Sequence, residues 1–466
     1  QYLLKHESMD GDQFAAAMQE DATVEMLEAI AAEKAEAEKR EQERREKEAA
    51  AEAKRKEQQR IEEERQREEK RKLDLQKNLT IVDGVLTNWY GSEKHLVLPA
   101  EIIKEIGTAF RWKPSLESVE IPEGITSIHA NAFHGSSKIK RIVIPATVRE
   151  IGSEAFTGCT SLTDVKLPAG LKAIPAQLFA NCAALETIVI PASVQKIGAG
   201  AFKGCHALKR LLLPEGITCI EDGAFDGCSV LKEIIIPSSV KKLGRDVFAG
   251  CTSLERITLG GGITKIPDGC FNNHQKLTEV EVSFNLCEIG ARAFKNCQKL
   301  KALRFVENSS NTAAKGFAFE KLVSNAGTIT QNSKTSKVVK IGESAFENCF
   351  VLSGMELPQG LTTIGDYAFA NCRSITSIKL PDSLISFGKG VFSGCVSLST
   401  VTGAECVDWH KKHTFTGAPW LATQTDDGFI VYESYLEAYV GQSDIVQVPA
   451  NVHTIGMCAF DGNTTI

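Results

Sequence analysis

Motifs that assemble a catalytic centre are missing from this sequence of 466 residues. It contains no H-E-x-x-H, which combines two zinc ligands with a general base, and no C-x-x-C pair. It also lacks the phosphate-cradling G-x-x-x-x-G-K-[ST] and the nucleophile motif G-x-S-x-G. Cys406, His410 and His413 have spacings that a zinc site could use, but we favour an exposed histidine pair in a degenerate repeat. We therefore predict no catalytic, cofactor-binding or metal-binding residue in this chain.

Most of the chain follows a repeat with a period of 23 residues. Phenylalanine recurs at this interval at Phe110, Phe133, Phe156, Phe179, Phe202, Phe225, Phe248, Phe271 and Phe294, and again at Phe346, Phe369, Phe392 and Phe415. A fixed short period indicates a solenoid, because each unit is too small to bury its own apolar face and must stack on its neighbours. We call one such unit a rung. Each rung is predicted to contain a short parallel strand that a proline ends, as at Pro168.

Fourteen cysteines raise the question of a disulfide framework, but their spacing argues against one. Nine of them lie three residues after a phased phenylalanine: Cys159, Cys182, Cys205, Cys228, Cys251, Cys297, Cys349, Cys372 and Cys395. Equivalent side chains on stacked rungs point in the same direction, and parallel Cβ vectors suit a disulfide poorly. We predict buried free thiols that behave as small hydrophobic groups with a weak S–H donor.

Alternate residues of each predicted strand point outward, onto the face of the sheet. Read across the rungs, the middle outward position holds Glu120, Val143, Lys166, Val189, Leu212, Ile235, Thr258 and Glu281. Val189, Leu212 and Ile235 are adjacent, so we predict that they form an exposed apolar strip that binds a partner, with Val143 as a further contact. The alternative is that aliphatic residues simply suit strands. Beside them runs a series of alternating charges, Arg210, Glu233, Arg256 and Glu279.

The first 77 residues have another character. Residues 1–32 carry seven acidic side chains and one basic side chain, and we predict a short helical segment there. From 33 to 77 we predict a charged single helix that acts as a spacer, because 29 of the 40 residues in 33–72 are charged. Glutamate precedes lysine or arginine by four residues at 36/40, 41/45, 43/47, 52/56, 63/67 and 68/72, which supports an isolated helix. The helix has no apolar seam, so the alternative to a single helix is a weak coiled coil with another copy of the chain.

The repeat L-x-x-[IVL]-x-[IVL]-P-x-x-[IVL]-x-x-I-G-x-x-A-F-x-G-C resembles the BspA-like leucine-rich repeats over residues 81–466. The fragment GAPWL at 417–421 and two hairpin-like segments, IVDGVLTNWYGSEKHLVLP and GFIVYESYLEAYVGQSDIVQVP, are also similar to recurrent pieces of that family. The resemblance implies a leucine-rich repeat solenoid at 78–466, with a degenerate rung and insertion at about 305–337. It also implies protein binding or surface adhesion.

A second resemblance concerns YLLKHESMDGDQF at residues 2–14. This run resembles the closing segment of the FtsH family of membrane-anchored AAA+ zinc metalloproteases. It implies that 1–32 is the tail of an upstream protease domain, and that zinc and ATP would bind upstream of Gln1. No catalytic residue of that family has a matching position here. The alternative is an unrelated helical pair joined by a D-G turn.

The sequence therefore predicts a non-catalytic protein-binding module. Its alternatives are a C-terminal substrate- or adaptor-docking extension of an ATP-dependent membrane zinc metalloprotease, and a surface adhesin. Nucleic acid is not an expected partner, because the solenoid is nearly neutral. No apolar run approaches the roughly 20 residues of a membrane span. We expect a cytoplasmic location, as the cytosolic part of a membrane protein, or alternatively the cell surface. Both chain ends are expected to be cuts, and oligomers would form through an upstream domain.

Overall fold

A computed structural model describes residues 11–18, 24–306, 337–353, 357–406, 413–425, 427–432, 434–441, 443, 445–456 and 459–460. The chain divides into two units, Gln1–Asn78 and Leu79–Ile466. The described part of the first unit is helical. The second unit is a solenoid of short parallel strands, and the predicted fold class is confirmed.

Helix α1 spans Gly11–Ala17, and helix α2 spans Val24–Lys77. The 54 residues of α2 correspond to a length of about 80 Å. The boundary predicted at residue 33 lies inside this helix, because the stretch that starts at Val24 is also made of good helix formers. Three of the predicted pairs, 36/40, 41/45 and 52/56, form ion pairs of 2.6–2.7 Å. Each exposed pair contributes only about 0.3–0.5 kcal/mol, so the support for the helix comes from their number.

The described rungs contribute two series of short strands, and within each series most strands pair in parallel with the equivalent strand of the next rung. The pairing is interrupted in places, as between Arg210–Leu212 and Glu233–Ile236. The first ladder, whose strands are the ones predicted, consists of His95–Val97, Ser118–Glu120, Arg141–Val143, Asp164–Lys166, Thr187–Val189, Arg210–Leu212, Glu233–Ile236, Arg256–Leu259, Glu279–Ser283, Ala302–Val306, Ser377–Lys379 and Thr400–Thr402. The second ladder consists of Glu105–Ile106, Ser127–Ile128, Glu150–Ile151, Ala173–Ile174, Lys196–Ile197, Cys219–Ile220, Lys242–Leu243, Lys265–Ile266, Glu288–Ile289, Lys340–Ile341, Thr363–Ile364 and Ser386–Phe387. Equivalent residues pair without a shift, as Thr187 does with Arg210.

An antiparallel hairpin begins the solenoid, and a similar hairpin recurs near its other end. The first joins Leu79–Val82 to Val85–Trp89, and its second strand pairs in parallel with Glu105–Ile106. The second joins Phe429–Tyr432 to Tyr435–Tyr439, which pairs in parallel with Thr454–Ile455. Both contain one register shift. Between the last described strand of the first ladder and the second hairpin, the described residues include two 3-10 helices, Ala404–Cys406 and Pro419–Gln424.

A column of stacked phenylalanine rings runs through the core of the solenoid. Neighbouring rings from Phe110 to Phe415 lie 5.0–5.9 Å apart, centroid to centroid, at small interplanar angles. Trp89 continues the column at 5.8 Å from Phe110. All these side chains are buried. The 23-residue period is therefore the period of this column.

One rung is much longer than the others. Phe294 and Phe346 stack directly, at 5.2 Å, and Glu288 pairs with Lys340 as its equivalent in the next rung. Positions 52 residues apart thus occupy the same place in neighbouring rungs. The degenerate rung and insertion predicted at 305–337 belong to this single long rung, and residues 307–336 lie outside the described part of the chain.

The nine phased cysteines are free and buried, which confirms the prediction. Each Sγ donates a hydrogen bond to the carbonyl oxygen of the phased phenylalanine in the preceding rung, at 3.0–3.4 Å. Burial raises the pKa of the Cys159 and Cys205 thiols to about 12. In one rung His274 takes this place, with Nε2 2.9 Å from the Phe248 oxygen, and burial lowers the pKa of its imidazole.

The nine phased thiols are expected to resist iodoacetamide at neutral pH in the native protein and to react fully in denaturant. The reason is that alkylation requires an accessible thiolate, and burial removes both access and ionisation. Mass spectrometry of tryptic peptides measures the labelling. Cys219 and Cys287 are the internal controls, since both are only half-buried and should react first. Native disulfides between neighbouring rungs would contradict this prediction.

Candidate binding surface

The first ladder places alternate side chains on the two sides of the solenoid wall. Ile188 and Leu211 point inward and are buried. Val189 and Leu212 follow them, point outward, and are 81% and 60% exposed. Val189 pairs directly with Leu212 in the parallel register, which places the two side chains about 4.8 Å apart along the solenoid. We call these two residues the apolar strip.

The other two predicted contacts differ from this pair. Ile235 is half-buried, so it forms at most an edge of the strip. Val143 is 37% exposed, and it pairs with Lys166, which lies in the rung between Val143 and Val189. Of the three adjacent side chains in the predicted strip, Val189 and Leu212 are exposed and Ile235 is half-buried. Residue spacing gives the direction of a side chain, but it does not give how closely the neighbouring rung covers it.

Charged side chains on the same face are largely paired between rungs. Arg141 lies 3.0 Å from Asp164, and Arg256 lies 3.2 Å from Glu233. Lys209, adjacent to the strand that carries Leu212, lies 2.8 Å from Glu186. These pairs are too exposed to contribute much stability. They leave the apolar strip in a surface of nearly balanced charge.

A second charged cluster lies nearer the start of the first ladder. Glu117 accepts from the ammonium groups of Lys94 and Lys140, at 3.2 and 3.3 Å. Hydrogen bonds from these two lysines lower the pKa of the Glu117 carboxyl group. The three side chains come from successive rungs, so this cluster is a stacking contact between those rungs.

Two exposed aromatic residues, Tyr90 and Trp112, were not among the predicted contacts. The sequence carried a signal for Trp112. It lies two residues after a phased phenylalanine, where the other rungs have glycine or asparagine. Tyr90 follows Trp89, which takes the place of a phased phenylalanine in the hairpin.

Within the described residues, no group of three or more histidine, cysteine, aspartate or glutamate side chains is placed to hold a metal ion. His413 lies with Nε2 3.5 Å from the Tyr435 hydroxyl group. Cys406 and His410 are the other residues whose spacing a zinc site could use. The Cys406 side chain and His410 fall outside the described part of the chain. The helices that the structure describes include none with the length and apolar content of a membrane span.

The sequence model of the BspA type Leucine rich repeat region (6 copies) matches residues 91–209, 196–326 and 339–466. These matches cover most of the chain, which therefore belongs to the BspA-type leucine-rich repeat family. No match was found among curated proteins. The first match begins at residue 91, and the resemblance of residues 2–14 to the FtsH family has no support from these comparisons.

Two solved structures of leucine-rich repeat proteins are similar to this chain. A leucine-rich repeat protein from Bacteroides ovatus is 24% identical, with a TM-score of 0.51, over 73% of this chain and 96% of that one. A leucine rich cell surface protein from Faecalibacterium prausnitzii is 25% identical, with a TM-score of 0.41, over 70% of this chain and 92% of that one. The likeness to the Bacteroides ovatus protein shows the solenoid fold and nothing finer.

Proposed function

We propose that this chain is a non-catalytic protein-binding module whose partner docks on the outward face of the first ladder, centred on Val189 and Leu212. The observation that carries the proposal is the exposure of two large aliphatic side chains in direct register, while the apolar residues before and after each of them are buried. The sequence motifs that would indicate an enzyme are absent. The protease parent has no support and is not part of the proposal.

The size and setting of the strip fit the centre of a binding surface. A few residues usually carry most of the binding energy, and they lie in an apolar centre within a polar rim. Each Å² of apolar area that a partner covers contributes about 25 cal/mol. Here the rim consists of charged pairs such as Lys209–Glu186 on one side and Arg256–Glu233 on the other.

The double substitution Val189→Lys with Leu212→Lys is expected to weaken partner binding at least a hundredfold and to leave the fold intact. Both side chains point outward, so charge there removes apolar contact area without opening a cavity. Once affinity capture on the immobilised chain yields a partner, calorimetric titration of that purified partner measures the dissociation constant.

Thr402→Lys is the matched control, because Thr402 occupies the same outward position in another rung and is exposed. Circular dichroism checks the fold of each variant. A folded double variant that binds as tightly as the unchanged protein would place the interface elsewhere.

For location, we propose the cell surface in preference to the cytoplasm. BspA-type repeat proteins are often surface proteins, whereas the cytoplasmic expectation rested on the FtsH resemblance. Protease treatment of intact cells, followed by detection of the solenoid, tests this. A solenoid that is cleaved only after lysis would exclude the surface location.

A further inference from the structure

Five backbone hydrogen bonds recur at the junctions between neighbouring rungs. Three come from N–H groups at the corner around the phased phenylalanine, as those of Gly223, Phe225 and Gly227 donate to the next rung at 2.6–2.9 Å. Two more cross the wall of the second ladder, as the N–H groups of Lys241 and Gly244 donate to the preceding rung at 2.9 and 2.8 Å. These bonds tie the corner and the second ladder of one rung to those of its neighbours.

The junction between the rung of Phe248 and the rung of Phe271 has none of these five bonds. In this stretch, which the structure describes without a gap, the N–H groups of Asp246, Phe248 and Gly250 do not donate to the next rung. The Thr264 N–H likewise makes no bond to the preceding rung. We call this place the open junction.

Two departures from the repeat account for the loss. Pro267 stands where Gly244 and Gly290 donate to the preceding rung, and proline has no N–H group. Val247 and Cys270 are buried at equivalent positions of the two rungs, directly before the phased phenylalanine, where most rungs have alanine. Because the interior is closely packed, two larger side chains at one contact hold the rungs apart.

Another junction shows what proline does by itself. Pro175 occupies the same position as Pro267, and the Lys172 N–H of its rung, in the same fully described stretch, also makes no bond across the second ladder. The corner N–H groups of the preceding rung, those of Glu154, Phe156 and Gly158, nevertheless donate to the rung of Pro175 at 2.8–3.0 Å. Proline thus opens the second ladder, whereas the open junction has lost the corner bonds as well.

The opposite wall of the open junction is closely held. Strands Glu233–Ile236 and Arg256–Leu259 pair along four residues. Gly260 and Gly262 follow, and a Cβ atom on them would lie 2.5 Å from the Pro237 carbonyl carbon and 2.3 Å from the Val240 oxygen. Glycine therefore lets the two backbones approach each other at the end of the first ladder. The junction is closed along the first ladder and open along the second.

We propose that the solenoid has a hinge at the open junction, with the first ladder as its axis. The rungs before and after the junction move as two bodies, and the second-ladder wall opens and closes between them. At the corner, the rings of Phe248 and Phe271 stay stacked at 5.5 Å, and the side-chain contact from His274 Nε2 to the Phe248 oxygen, at 2.9 Å, lengthens on opening. At the Pro175 junction the same motion would break three backbone bonds, which is why we place the hinge here.

The hinge is independent of the binding surface proposed above. Val189 and Leu212 both precede the open junction, so the apolar strip lies within the first body. Hinge motion leaves the strip unchanged and alters the direction of the later rungs relative to it. A failure of the strip as a binding surface would therefore leave this inference standing.

Hydrogen exchange followed by mass spectrometry tests whether the corner of the open junction is weak in the native protein. The amides of Asp246, Phe248 and Gly250 should exchange at least tenfold faster than those of Phe225 and Gly227, which occupy matching positions one rung earlier. Equal protection at the two junctions would overturn the inference.

Distances between spin labels test the motion itself. The labels are attached through a ketone-bearing amino acid at the exposed positions Lys104, Thr218 and Ile385, so that the native thiols are untouched. The pair at 104 and 218 lies within the first body, and the pair at 218 and 385 spans the open junction. Pulsed electron paramagnetic resonance should give a distance distribution at least twice as wide for the second pair. Equal widths would contradict a hinge.

A variant that closes the junction completes the test. Pro267→Gly with Cys270→Ala restores an N–H donor and the alanine that most rungs have. It should narrow the distribution between 218 and 385 to the width of the other pair and slow exchange of the Phe248 amide at least tenfold. Pro175→Gly is the matched control and should change neither measurement. A closing variant that folds, as circular dichroism reports, and leaves both measurements unchanged would overturn the inference.

Discussion

Replacing Phe225 by alanine is expected to lower the free energy of unfolding by about 3–5 kcal/mol, the range for truncating a fully buried phenylalanine. Phe225 lies in the middle of the column, 5.9 Å from the ring of Phe202 and 5.8 Å from that of Phe248. Its removal leaves a cavity that both neighbouring rungs line. The backbone cannot close this cavity, because the Phe225 N–H and oxygen are bonded to Val247 and Cys251.

Urea unfolding followed by far-ultraviolet circular dichroism measures this loss, read as the shift of the midpoint because a solenoid need not unfold in two states. Leu212→Ala is the control, since it removes a large apolar side chain from the exposed face and should change stability little. Equal shifts for the two variants would mean that the column is not the core of the solenoid.

Gly198→Ala is expected to cost about 2–3 kcal/mol, because the added methyl group has no room. A Cβ atom at Gly198 would lie 2.5 Å from the Ala176 nitrogen and 2.7 Å from the Pro175 carbonyl carbon, both backbone atoms of the preceding rung. The residue after the second-ladder strand is, in order, Gly107, His129, Gly152, Pro175, Gly198, Glu221, Gly244, Pro267, Gly290, Gly342, Gly365 and Gly388. In these rungs, wherever this position holds a residue other than glycine, the same position of the next rung holds glycine.

Glu221→Ala is the matched control for this prediction, because it lies at the same position one rung later and already carries a Cβ. It loses only the 2.7 Å ion pair with Lys196 and a hydrogen bond from the Ala199 N–H, so its cost should stay below about 1 kcal/mol. Thermal unfolding of both variants gives the comparison. A Gly198→Ala variant as stable as Glu221→Ala would show that the rungs can separate to admit a methyl group.

Much of the solenoid could be predicted from its period alone. The stacking of the phenylalanines, the burial of the thiols and the outward direction of Val189 and Leu212 all follow from placing equivalent residues above one another. The second ladder could not be predicted in this way. Its strands, such as Ala173–Ile174, are two residues long, and two residues cannot show the alternation of apolar and polar side chains that indicates a strand.

The candidate sites were predicted less completely than the fold. The half-burial of Ile235 depends on how the next rung covers it, which is a property of packing and not of spacing. Trp112 departs visibly from the repeat pattern, but the left-handed backbone conformation of this residue is shown only by the structure. The start of α2 at Val24 could not be predicted either. A run of charged residues indicates an exposed helix, but it does not indicate the first residue of that helix.

The long rung has a consequence for how such a gene can change. Because Phe294 and Phe346 stack directly, 29 residues more than the usual 23 have entered one rung without disturbing the rungs on either side. Each rung contacts chiefly its two neighbours. Duplication or deletion of a 23-codon unit therefore changes the length of the protein while creating only one new junction, and an insertion within a loop creates none. Unequal crossing-over between the repeats is thus a route by which functional descendants with longer or shorter binding faces can arise.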